Sequence, residues 1–126
     1  MYPKDIIERI KLPFRKDKEL YSSFYKILGF YPHHIQYYEQ ALHHKSSSIK
    51  KQGSWINNER LEFLGDSVLS VVVANYLFHH STRPEGELSR MRASLVSEDA
   101  LFQFAQEIDL GSYLRLGRGE ELGGGR

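Results

Sequence analysis

Apolar residues recur along this chain at helical spacing, and the longest such stretch sets the reading of the rest. From residue 58 to 80 the sequence NERLEFLGDSVLSVVVANYLFHH holds one glycine and no proline. That predicts one long helix, with Asn58 as its N-cap and Glu59 and Glu62 near the positive end of its dipole. At about 100° per residue, Glu59, Glu62 and Asp66 fall within roughly 60° of arc. The same stripe continues as Leu69, Val73 and Leu77. The remaining circumference is mostly apolar too (Leu61, Phe63, Leu64, Val68, Val71, Val72), the pattern of a helix buried nearly all round.

Shorter helices flank it. Ile6, Ile7 and Ile10 predict a short amphipathic helix over 1–11 that Pro13 ends. Leu20, Phe24, Ile27 and Leu28 share one face over 17–28, with Gly29 placed as a C-terminal cap. Ile35, Tyr38 and Leu42 predict a helix over 33–45. Leu88, Met91 and Leu95 face inward over 87–96, and Ser97 caps a last helix running through Ile108. The polar segment 46–57 predicts a loop, with Trp55 packing on the core at the start of the central helix. Residues 117–126 are glycine-rich and predicted to be mobile unless continued. No two alternating runs predict a sheet, so the expected fold is all-α, one domain over 1–126 built as a bundle around the central helix.

Composition narrows the function classes. Forty per cent hydrophobic and 26% charged residues describe an ordinary globular chain. A net charge of +1 gives no global basic field, so contacts to phosphate would be local. Zero cysteines exclude disulfides, thiolate metal sites and a cysteine nucleophile, and suit a reducing, cytoplasmic setting. No basic-then-apolar leader opens the chain, and the apolar run 68–78, broken by Ser70 and Asn75, is shorter than the roughly 20 residues of a membrane span. Histidines come as adjacent pairs, His33-His34, His43-His44 and His79-His80. Neighbours on a helix point about 100° apart and chelate poorly, so these are expected at helix ends rather than around zinc.

The candidate chemistry is the acidic stripe. Three carboxylates stacked on one helix face repel one another, and partial burial adds a desolvation cost. Two compensations are open: salt bridges to Arg60, Arg90 or Arg92, or a hard divalent cation. Mg²⁺ takes one or two protein carboxylates, completing its shell with water and phosphate oxygens. Lys45, Lys50 and Lys51 lie just upstream, and either solubility or phosphate contact explains them. Gly65, in mid-helix, costs about 1 kcal/mol relative to alanine and predicts close approach of a partner helix or subunit.

Residues 58–69, NERLEFLGDSVL, resemble the signature of the ribonuclease III family, which opens the central helix of its catalytic domain. Residues 41–46 (ALHHKS) and 84–96 (PEGELSRMRASLV) resemble the segments that flank it in the family, in the same order. Residues 116–121 (LGRGEE), with Gly123 and Gly124, resemble the loop before the family's second acidic motif. The likeness covers roughly residues 20–126 and corresponds to the first two-thirds of the endonuclease domain. Beyond the glycine loop the family carries an Asp and a Glu about three residues apart, then commonly a double-stranded RNA-binding domain; the 126 residues reach Arg126 before either.

The resemblance implies metal-assisted hydrolysis of double-stranded RNA, of the rRNA- and mRNA-processing kind, with Mg²⁺ as cofactor and Mn²⁺ as the other candidate. It makes Glu62 and Asp66 metal ligands and counts Glu59 with the active site, behind the ligands or at a subunit contact. It places Glu85 in the cleavage valley and the segment of Lys45 near the substrate. It implies a homodimer, each subunit cutting one strand, with Phe63 across the dimer interface; core packing also explains Phe63. Two other function classes remain beside the nuclease: a non-cleaving RNA- or ribosome-binding relative, and a helical dimerisation module whose acids form salt bridges.

Overall fold

A computed structural model describes residues 3–115; the glycine-rich segment expected to be mobile lies outside the described residues. The chain divides into two compact units, Met1–Gln40 and Ala41–Arg126.

In the first unit, α1 (Pro3–Lys11) and α2 (Lys18–Leu28) are joined by a 3₁₀ turn that contains Pro13. Gly29 ends α2 with φ at 77°, its N–H donating to the Tyr25 carbonyl; a left-handed cap of this kind favours glycine. Tyr21 and Phe24 of α2 are buried, and Phe24 meets Tyr38 edge-on at 5.5 Å. Buried Asp5 accepts the N–H of Tyr31 at 3.2 Å, tying α1 to the segment after α2. Ile6, Ile7 and Ile10 remain half exposed or more.

The helix expected over 33–45 is shorter, α3 (Ile35–Ala41). Beyond it the backbone bonds to Arg115 instead: Arg115 N–H donates to Leu42 O (2.7 Å) and His44 N–H to Arg115 O (3.0 Å). Those groups are satisfied without helix, and His43 is buried there. The expected loop 46–57 contains an antiparallel hairpin, β1 (Ile49–Lys51) and β2 (Ser54–Ile56). Gln52 and Gly53 both take positive φ, 50° and 81°, the two-residue turn that matches strand twist. Three-residue strands are too short to show as alternation, which is why the pattern gave no sheet.

The other main described elements of the second unit are helices: α4 (Glu59–His80), α5 (Glu85–Leu95) and α6 (Glu98–Glu107), with α4 against α5 and α5 against α6. Burial of α4 departs from expectation. The stripe Leu69, Val73 and Leu77 is half-buried to buried, but Leu64, Val68, Val71, Val72 and Phe78 are exposed. The sequence registers every face that is apolar; among the described residues only one stripe of α4 is covered.

Ser97 caps α6, its Oγ accepting the Ala100 N–H at 3.2 Å. Ser97→Ala is expected to cost about 1 kcal/mol. Urea unfolding checks this: the midpoint falls with the slope unchanged.

Candidate active site

The start of α4 is held by residues 41–48. Asn58 N–H donates to His43 O (2.8 Å), Asn58 Nδ2 to Ala41 O (3.2 Å), and Asn57 Nδ2 to Ser48 Oγ (3.0 Å). The cap is Asn57 rather than the expected Asn58: Asn57 Oδ1 accepts the Glu59 N–H at 3.0 Å, while the Asn58 side chain makes no cap bond. Asn58 has near-helical backbone angles, φ −89° and ψ −3°, which turn its side chain away from the free N–H groups. The ALHHKS segment therefore sets where the first turn of α4 begins.

On that turn and the next, Glu59, Glu62 and Asp66 line one open groove of about 650 Å³ with Phe63, Leu69 and Leu101. Their charges are handled unequally. Glu59 pairs with Lys45 (Nζ to Oε1, 3.4 Å), both side chains largely exposed. Exposed pairs contribute roughly 0–1 kcal/mol, so this one opens at little cost. Glu62 and Asp66 form no ion pair or side-chain hydrogen bond among the described residues, and Arg60, Arg90 and Arg92 do not reach them. The salt-bridge compensation open from the sequence is thus met only at Glu59, and by a lysine.

Two free carboxylates one turn apart suit a cation that needs one or two protein oxygens and keeps the rest of its shell for water and phosphate. Among the described residues no three His, Cys, Asp or Glu side chains converge on a common metal position. The histidine pairs are used locally. His79 and His80 Nδ1 lie 2.8 Å from the Asn75 and Tyr76 carbonyls, and His44 Nδ1 accepts the Ser46 N–H.

Phe63 stands beside the acids with 81% of its surface exposed, so core packing within the described residues does not explain it. A Cβ on Gly65 would meet nothing within 4 Å, so the expected close approach is not made inside the described chain. Glu85 is not brought to the groove. It opens α5 after the far end of α4, where it accepts from Ser89 Oγ, and α4 is about 33 Å long at 1.5 Å per residue. Leu101 enters the groove from α6; its apolar position announced burial, and no sequence signal linked it to the acids.

Asp66→Asn removes a like-charge i, i+4 contact with Glu62. In metal-free, low-salt buffer it is expected to raise stability by about 0.2–0.5 kcal/mol, read as a higher thermal midpoint that added salt erases.

A family model described as Ribonuclease-III-like matches residues 35–126. Ribonuclease 3 of Bacteroides fragilis is 46% identical over 111 residues, covering 86% of this chain and 38% of that protein. Ribonuclease 3 of Treponema denticola is 47% identical over 112 residues, covering 88% and 46%. The chain therefore spans less than half the length of these curated relatives. Among solved structures it is similar to the nuclease domain of ribonuclease III from Campylobacter jejuni, at 40% identity and a TM-score of 0.71, covering 82% of this chain and 69% of that one. That structure is described for flexibility in its region involved in dimer formation.

Proposed function

This chain belongs to the ribonuclease III family, and we propose that it forms part of a divalent-metal-dependent endonuclease that hydrolyses the phosphodiester bonds of double-stranded RNA. The observation that carries this reading is the pair Glu62 and Asp66, one turn apart in the groove and without an ion-pair partner among the described residues. They would hold Mg²⁺, or Mn²⁺ in its place. When bound, such an ion lowers the pKa of water and offsets charge on the phosphate and the leaving oxygen. Glu59 stands behind the pair, held by Lys45. Because that ion pair opens cheaply, Lys45 is free to turn to a phosphate of the substrate.

Dimerisation completes the reading. Phe63, exposed beside the acids, is the kind of apolar side chain that marks an interface. A second subunit is the partner the family resemblance supplies, with each subunit cutting one strand. Within one chain Glu85 stands at the other end of α4 from the acids, so its place in the valley is toward the partner subunit. From the sequence, the apolar run 68–78 falls below the length of a membrane span, but α4 as a whole is long and apolar enough to cross one by length and composition alone. Carboxylates in its first turns and a covered stripe below them favour a bundle helix, with the protein in the cytoplasm.

One observation favours a second reading, a non-cleaving RNA-binding relative: the described residues bring only two free carboxylates together. The family completes its site with an Asp and a Glu from beyond the glycine-rich segment.

Incubation of a long RNA duplex with Mg²⁺ separates the two. The nuclease reading predicts cutting that stops with chelator and falls about a hundredfold or more in Asp66→Asn, since even groups behind a metal ligand cost 10–100-fold. Cutting indifferent to both changes contradicts it, and duplex binding without cutting assigns the chain to the second reading. Self-association is tested through Gly65→Ala. Added Cβ has open space within the chain, so stability is expected to rise by about 0.5–1 kcal/mol, while sedimentation shows a weaker dimer. An unchanged dimer would remove Gly65 from the interface.

A further inference from the structure

The hairpin of β1 and β2 has no part in the site described so far, and Trp55 on it departs from expectation. Instead of packing on the core it is 68% exposed. Its cross-strand partner is Lys50, so the two share a face of the hairpin, with the Lys50 ammonium 6.0 Å from the indole centroid. Between Glu39 and Glu59 the sequence holds Lys45, Lys50 and Lys51 and no Asp or Glu. Lys45 is paired with Glu59, which leaves Lys50 and Lys51 as the charges on the hairpin itself, in a chain of net charge +1. The hairpin is also anchored: Asn57 Nδ2 to Ser48 Oγ and Asn58 N–H to His43 O tie its base to the first turn of α4.

We propose that this hairpin is an RNA-gripping arm, in which Trp55 stacks on an unpaired base next to the cleaved duplex while Lys50, on the same face, meets its phosphates. The inference rests on the RNA reading given above and adds a preference to it. Local cations with no acid among them suit a polyanion, and an exposed indole offers a stacking face that any base accepts. Bases inside a duplex are already stacked on both sides. An exposed tryptophan on a short hairpin can stack only on a base in a loop, bulge or frayed end. The arm therefore selects duplexes carrying such a base near the cut, whereas the acidic groove acts on the duplex itself.

Trp55 is the one tryptophan of the chain, so its emission reports the arm directly. The test titrates the full chain with a labelled stem-loop RNA and with a blunt duplex of the same stem. Ca²⁺ replaces Mg²⁺ so that neither is cut. Stem-loop binding, followed by anisotropy of the label, is expected to quench Trp55, with little quenching by the blunt duplex. Trp55→Ala is expected to weaken stem-loop binding about tenfold, one stacked base being worth that much, and to leave blunt-duplex binding unchanged. Trp55→Phe recovers most of the loss. Lys50→Gln lowers the salt slope of binding by about one.

Binding of both RNAs with Trp55 emission unchanged, or equal quenching by both, overturns the arm and leaves the RNA reading standing. No binding of either RNA overturns that reading and the arm with it. Emission that shifts with protein concentration alone, without RNA, makes the hairpin a contact between copies and contradicts the proposal.

Discussion

Everything at the candidate site depends on how one stripe of α4 changes character along its length. Leu77 is buried, Val73 and Leu69 half-buried, and above them on the same stripe stand Asp66, Glu62 and Glu59 in an open groove. The lower stripe is the face of α4 that the described residues cover, and packing of Leu69, Val73 and Leu77 there holds the rotation of the helix, each Å² returned to water costing roughly 25 cal/mol. Once that rotation is fixed, the 3.6-residue repeat leaves the carboxylates no other direction. Their mutual repulsion is a few tenths of a kcal/mol per pair, too small to turn the helix away. The site is imposed by the covered stripe below it.

The second determinant is the tether at the helix start. Hydrogen bonds from Asn57 and Asn58 to Ser48, His43 and Ala41 hold the ALHHKS segment, the hairpin base and the first turn of α4 together. The same tether delivers Lys45 to Glu59. One acid is thereby neutralised locally and two are left for a cation from solution, an unequal division of charge that suits metal binding better than three free or three paired carboxylates would. Exposure keeps the cost of that arrangement low in the absence of an ion, since charges in water are screened.

Much of this was legible in the residues. Helical periodicity located the main helices, Gly29 and Ser97 announced their caps, and the spacing of 59, 62 and 66 placed three acids on one stripe. Three things were not legible, each for a physical reason. Lys45 meets Glu59 through the local fold of 42–48, which no periodicity encodes. The hairpin has three-residue strands, below the length at which alternation shows. Asn57 took the capping role from its neighbour because the two residues are chemically identical and only the backbone angle at Asn58 decides between them. An apolar position, finally, tells which face must be covered and not by which segment, so the exposed face of α4 could not be told from a buried one.

The central claim is that Glu62 and Asp66, and not Glu59, hold a divalent ion. Titration of the full chain with Mn²⁺, followed by electron paramagnetic resonance of the free ion, tests it most directly. The account predicts a saturable Mn²⁺ site that Mg²⁺ displaces, that survives Glu59→Gln and that is lost in Glu62→Gln and in Asp66→Asn. Binding that persists in both of the latter variants, or that disappears with Glu59→Gln, would contradict it.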